Sequence, residues 1–71
     1  MNSYPEIGEV LGKYKLISEL GKGTTATVYK ASHKYLNVDV ALKVLSPQLI
    51  SENESIRYRF IEEAMNHAQL V

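Results

Sequence analysis

Leu20-Gly21-Lys22-Gly23-Thr24-Thr25-Ala26-Thr27-Val28-Tyr29-Lys30-Ala31, followed after a short polar stretch by Val40-Ala41-Leu42-Lys43, is the part of the sequence that decides the fold. Gly-x-Gly-x-x-Ala at 21–26 makes a turn of small residues, since glycine takes positive φ or lets another group approach the backbone at no steric cost. Successive amides at such a turn can hold anionic oxygens. From the turn alone, a hairpin loop with two glycines placed for turn geometry is the preferred reading. Thr27 to Ser32 is β-prone and carries no helix-start signal, so it reads as the returning strand of a hairpin.

Upstream, Tyr14-Lys15-Leu16-Ile17-Ser18-Glu19-Leu20 alternates, with Tyr14, Leu16 and Leu20 on one face and Lys15 and Glu19 on the other. Residues 1–12, with Pro5, Gly8 and Gly12, read as a lead-in that packs little. Downstream, His33-Lys34-Tyr35-Leu36-Asn37 is a polar connection in which Asn37 suits a turn. Val38 to Leu45 is the clearest strand. Val38, Val40, Leu42 and Val44 share one face, and Asp39, Ala41, Lys43 and Leu45 share the other, before Ser46-Pro47 stops it. Gln48-Leu49-Ile50 is expected to form a single turn.

A helix is expected over about 53–71, with Ser51 and Glu54 as a capping box or Asn53 as the N-cap. At 100° per residue, Ile56, Phe60, Ala64, Ala68 and Val71 fall on one face. Glu62 falls on the polar side and needs no partner, whereas Glu63 falls inside the apolar stripe and does. Lys43 lies in an apolar strand, so it either snorkels from an exposed face beside Asp39 or meets an anion. We pair Glu63 with Lys43; the alternative is a solvated Glu63 beside Arg59. His67, also in the stripe, reads as a packed histidine.

The fold class expected from this pattern is α+β: a three-stranded antiparallel sheet over about 14–20, 27–32 and 38–45, then one helix. Composition sets bounds on it. At 71 residues the chain makes at most one small domain, which buries only about 60% of the surface that its unfolded form exposes. It has no cysteine, so neither a disulfide framework nor a thiolate metal site adds stability, and His33 and His67 form no ligand cluster; no metal site is expected. Lys plus Arg and Asp plus Glu are both 8, so the charge balance calls for neither nucleic acid nor an anionic membrane. No window approaches membrane-spanning length, and a cytoplasmic location is the expectation.

Two nucleotide-binding patterns compete for the glycine turn. Lys22-Gly23-Thr24 is not the end of a Walker A loop, which needs Gly-Lys followed directly by Ser or Thr and then a helix. A Rossmann fingerprint fits the glycine spacing, with Asp39 at about the right distance. Against it, the first strand alternates, strand formers follow the turn where a helix should begin, and Asp39 sits inside an apolar run.

Taken together, these residues resemble the start of a protein kinase small lobe. Leu20 to Ala31 resembles the family's glycine-rich loop, and Val40-Ala41-Leu42-Lys43 its Val-Ala-Ile-Lys strand. Phe60-Ile61-Glu62-Glu63-Ala64 is similar to the helix called αC in bacterial serine/threonine protein kinases. The resemblance covers roughly residues 12–71, so that 1–12 stands as a lead-in and 13–71 as a partial kinase domain. It implies that Gly21, Lys22, Gly23, Thr24, Thr25 and Ala26 form the loop over the phosphates of ATP. It implies that Leu20, Val28 and Ala41 line the adenine pocket, and that Lys43, held by Glu63, contacts the α- and β-phosphates.

Ala26 stands where the family has its third glycine. Nothing resembles the family's His-Arg-Asp catalytic loop or its Asp-Phe-Gly metal site. The resemblance therefore implies magnesium only through residues that this sequence lacks, a chain ending at about the end of αC, and no phosphate transfer by these residues alone. A protein substrate would belong to the intact enzyme. The alternative is a non-catalytic small-lobe remnant that binds a partner, with self-association through an exposed sheet edge expected on physical grounds.

Overall fold

Val38–Leu45 is a strand over the full span that its alternation predicts. The computed structural model describes residues 3–50 and 57–63. Around that strand lies one antiparallel sheet of five strands, paired in sequence order. They are β1 (Val10–Leu11), β2 (Tyr14–Lys22), β3 (Ala26–His33), β4 (Val38–Leu45) and β5 (Phe60–Glu63). A 3-10 turn at Pro47–Leu49 follows β4, where a single turn is expected.

One face of the sheet carries the core: Leu11, Tyr14, Leu16, Tyr29, Ala31, Val40, Leu42 and Val44, with Tyr4, Tyr58 and Phe60 packed against it. In β3 the buried residues alternate strictly, as Thr27, Tyr29, Ala31 and His33. The β3–β4 turn places Asn37 at φ 57°, and the His33 imidazole secures it. His33 Nδ1 accepts from the Tyr35 amide at 3.2 Å and from the Leu36 amide at 3.1 Å.

The helix expected over 53–71 is overturned where the chain is described. Phe60–Glu63 is a strand that pairs with β4, with Phe60 opposite Val44 and Glu63 opposite Ala41. Residues 53–56 and 64–71 lie outside the described residues, and so do the cap at Ser51, Asn53 and Glu54 and the stripe positions Ile56, Ala64, His67, Ala68 and Val71. The expected α+β class therefore holds only in its antiparallel sheet; no α-helix occurs among the described residues. The physical reason is the second edge of β4. β3 satisfies only one side of that strand, and unpaired backbone groups left in an apolar setting cost more than the few tenths of a kcal/mol per residue, roughly, that separate helix propensities. Phe60 and Ile61 are also strand formers.

Two further expectations are corrected. Leu20, read on one face with Tyr14 and Leu16, is instead the extra residue of a bulge and is 52% exposed. The β2–β3 register shifts between Leu16 and Ser18 and again between Glu19 and Gly21, and each extra residue reverses the alternation behind it. The lead-in, read as packing little, docks closely. Pro5 is buried, its carbonyl accepts from the Tyr29 hydroxyl at 3.0 Å, and the Gly8 amide donates to the Leu16 carbonyl at 2.8 Å.

The sheet is strongly curled. Tyr14 on β2 meets Phe60 on β5 edge-to-face at 5.9 Å between ring centroids. In a flat sheet these strands would lie three spacings apart, about 14 Å. The Tyr14 hydroxyl also donates to Glu62 Oε1, and Arg57 pairs with Glu9 at 3.8 Å across the same seam. Glu62, read as needing no partner, therefore has one. It sits opposite Leu42 on the core side, because a strand aims it differently from a helix.

Candidate functional site

Cross-strand partners in an antiparallel sheet share a face. The register Gly21↔Val28, Val28↔Lys43 and Lys43↔Ile61 makes one row across β2 to β5 on the face opposite the core. Beside it runs a second row, Ser18, Lys30, Ala41 and Glu63. Lys43 thus rises between Val28 and Ile61, and one strand further on the row ends at a residue with no side chain.

Lys43 Nζ lies 3.2 Å from Glu63 Oε2, with the two side chains 39% and 44% exposed. Asp39, which could have satisfied Lys43 from the same face, pairs with Lys30 at 3.6 Å. Lys43 and Glu63 come together as diagonal neighbours on adjacent strands, so the helical stripe that paired them in the sequence is not what brings them into contact. A pair this exposed contributes about 0–1 kcal/mol, which leaves the ammonium held in place but open to a second anion.

The hairpin joining β2 to β3 closes through the Gly23 amide, which donates to the Ala26 carbonyl at 2.8 Å. The Ser46 amide donates to the Thr25 carbonyl, also at 2.8 Å, and anchors the loop to the end of β4. Gly21, Lys22, Gly23, Thr24 and Thr25 are all exposed. The amides of Thr24 and Thr25 donate to no acceptor among the described residues.

Positive φ is not the reason for these glycines, contrary to one reading of the sequence. Gly8 at φ 96° and Gly12 at φ 61° have it, whereas Gly21 and Gly23 do not. A Cβ added at Gly21 would meet nothing within 4 Å, and one at Gly23 would sit an ordinary 3.5 Å from the Ala26 carbonyl oxygen. The fold itself does not require glycine at either position.

The other residues expected at the site are placed as follows. Val28 is half-buried and Ala41 buried, both on the Lys43 face, while Leu20 is the extra residue of the second bulge. Lys22 pairs with Thr27 in the row that includes Val44 and Phe60, so its side chain lies on the core side, away from Lys43. Ile61 at Lys43's flank was missed, because the sequence reading placed it in a helix. No group of three or more His, Cys, Asp or Glu converges among the described residues.

Two tyrosines on the core side are perturbed. Tyr29 is pushed up to about 12 by burial first, then by the negative charge of Glu19 and other acidic neighbours. Tyr14 is raised above the ordinary phenol value, chiefly by its hydrogen bond to Glu62, then by burial and by the Glu62 charge.

No family model and no solved structure gives a significant match to the chain. Curated proteins do. A "Probable serine/threonine-protein kinase" of Clostridium acetobutylicum is 43% identical over 65 residues, covering 90% of this chain and 10% of that protein. The serine/threonine-protein kinase PknD of Mycobacterium tuberculosis is 38% identical over 63 residues, covering 89% of this chain and 9% of its own length. The DNA damage-responsive serine/threonine-protein kinase RqkA of Deinococcus radiodurans is 42% identical over 59 residues, covering 83% of this chain and 8% of its own. The chain thus spans about a tenth of the length of these relatives.

Proposed function

We propose that the chain, a homologue of a segment of serine/threonine protein kinases over nearly its whole length, supplies the ATP-positioning part of such an enzyme. The observation that carries this reading is the row Gly21, Val28, Lys43, Ile61, in which a cation faces across one strand to a glycine that the fold does not need. Glycine without a conformational role leaves close approach of a ligand as the remaining reason for its presence.

The residues fit a nucleotide polyphosphate. The Thr24 and Thr25 amides, which have no acceptor among the described residues, are donors for phosphate oxygens, Gly21 leaves room for them, and Lys43 supplies a point charge that Glu63 keeps from swinging away. Val28 and Ala41 give the same face an apolar floor suited to a planar base. ATP, when bound, supplies the γ-phosphoryl group. In the intact enzyme that group goes to a serine or threonine hydroxyl of a protein substrate, and magnesium is held by residues other than these. The 71 residues include no His-Arg-Asp or Asp-Phe-Gly sequence, so this chain positions the nucleotide and does not itself orient an acceptor.

The test is titration of the full chain with ATP by calorimetry, beside its Lys43→Met variant. Saturable binding that the variant loses, while its unfolding free energy stays within about 1 kcal/mol of wild type, is the expected result. In the intact enzyme the same substitution should abolish protein phosphorylation, and near-normal phosphorylation would overturn the role given to Lys43.

A second reading, as a partner-binding module, draws on β5. Its outer edge has no partner strand among the described residues, and Ile61 on it is 51% exposed. Concentration-dependent elution in size-exclusion chromatography without ATP binding would favour it. The Rossmann alternative loses its premise, since an antiparallel strand and not a helix follows the glycine turn. No helix among the described residues is long and apolar enough to cross a membrane.

A further inference from the structure

The lead-in crosses the core face and reaches the glycine hairpin from behind. Tyr4 packs against the core, Pro5 is latched to the Tyr29 hydroxyl, and Lys22 Nζ lies 5.7 Å from the centroid of the Tyr4 ring. Lys22 is the last residue of β2, directly before the turn that Gly23 closes. Its side chain is on the core side of the sheet, so it cannot join Lys43 over a ligand on the opposite face.

We propose that Tyr4 is a positioning residue for the glycine hairpin, acting through a cation–π contact with Lys22, and that Lys22 serves this tether and is not a phosphate ligand. The contact joins the fourth residue of the chain to the strand end from which the loop springs. It draws the base of that loop toward the core, and it sets the aim of the Thr24 and Thr25 amides. The Tyr4 ring does this work and its hydroxyl does not, for that oxygen is buried without a hydrogen-bond partner among the described residues. The consequence for ATP rests on the function proposed above; the tether itself does not.

The experiment is a double-mutant cycle on the full chain, with Tyr4→Leu, Lys22→Met and the double variant, plus Tyr4→Phe as the conservative replacement. The first readout, taken without nucleotide, is hydrogen exchange at the Gly23 amide, with the Leu42 amide in the core reporting global opening. Exchange at Gly23 should rise about 2- to 5-fold in each single variant with Leu42 unchanged. The double variant should be no faster than either single one, and Tyr4→Phe should match wild type. Multiplying effects, an unchanged Gly23, or a Tyr4→Phe that behaves like Tyr4→Leu would overturn the tether.

If Tyr4→Leu opens Leu42 as well, the comparison rests on Lys22→Met, an exposed site, against wild type and Tyr4→Phe. Gly23 exchange should rise in the first and not in the other two, and an unchanged Lys22→Met would overturn the tether. The second readout is ATP affinity, which should fall by the same factor in the same non-additive pattern. Wild-type chain that binds no ATP would defeat the proposed function, while the exchange cycle would still decide the tether.

Discussion

Replacing Gly21 by alanine separates what the fold needs from what a ligand needs. The added Cβ meets nothing within 4 Å, and the backbone there is not in the positive-φ region. Alanine also narrows the conformations open to the unfolded chain, so Gly21→Ala should stabilise the protein by about 0.4–1 kcal/mol. The same methyl stands at the end of the Lys43 row, where an approaching phosphate would meet it. Overpacking a fitted contact costs about 1–3 kcal/mol, which corresponds to a loss of ATP affinity of roughly 5- to 150-fold.

Stability and affinity should therefore move in opposite directions. Urea unfolding and calorimetric titration of one preparation would measure both. Gly12→Ala is the internal control, since φ 61° there makes any side chain unfavourable by about 1–2 kcal/mol with no reason for ATP affinity to change beyond that. A destabilised Gly21→Ala would refute the claim that the fold does not need this glycine. An unchanged affinity would refute the claim that a ligand does.

Alkaline unfolding should carry the mark of Tyr29. Between 10.0, the ordinary phenol value, and about 12 in the folded protein, the unfolded chain has lost this proton and the folded chain keeps it. Stability should therefore fall as pH rises through that window and level off above it, and Tyr29→Phe should remove this limb, as followed by circular dichroism. Glu62→Gln should return the Tyr14 phenol toward its ordinary value in an ultraviolet titration, because the carboxylate's hydrogen bond and charge hold it up; a titration that does not move would place the cause in burial.

The strand β4 was fully legible, because its alternation is uninterrupted and both of its faces are used. Val40, Leu42 and Val44 are buried, and Lys43 stands opposite them as its place in the pattern requires. The β2 bulges were not legible. Ile17 and Leu20 read as ordinary members of an alternating strand, and only the pairing with β3 shows the two added residues. Phe60-Ile61-Glu62-Glu63 satisfies a helical stripe and a strand equally, and a periodicity argument cannot see that β4 has an edge to fill. At the candidate site, residue types located Lys43 and the glycines, whereas the neighbours Ile61 and Tyr4 depend on tertiary pairing. Tyr4 had no signal beyond being aromatic in a stretch otherwise read as loose.

The curl of the sheet has a consequence for the order of folding. Every strand pairs with its neighbour in sequence, so both central hairpins close over short loops and can form within microseconds, on the order of 1–10 μs. The seam is different. The hydrogen bond from Tyr14 to Glu62 joins residues 48 apart, and its loop-closure entropy must be met before any of its contacts reward it. During synthesis Tyr14 is made long before Glu62, so the meander can assemble strand by strand while Tyr14 waits for its partner. Closure of the seam is then the last step, and it converts a row of local hairpins into one cooperative unit.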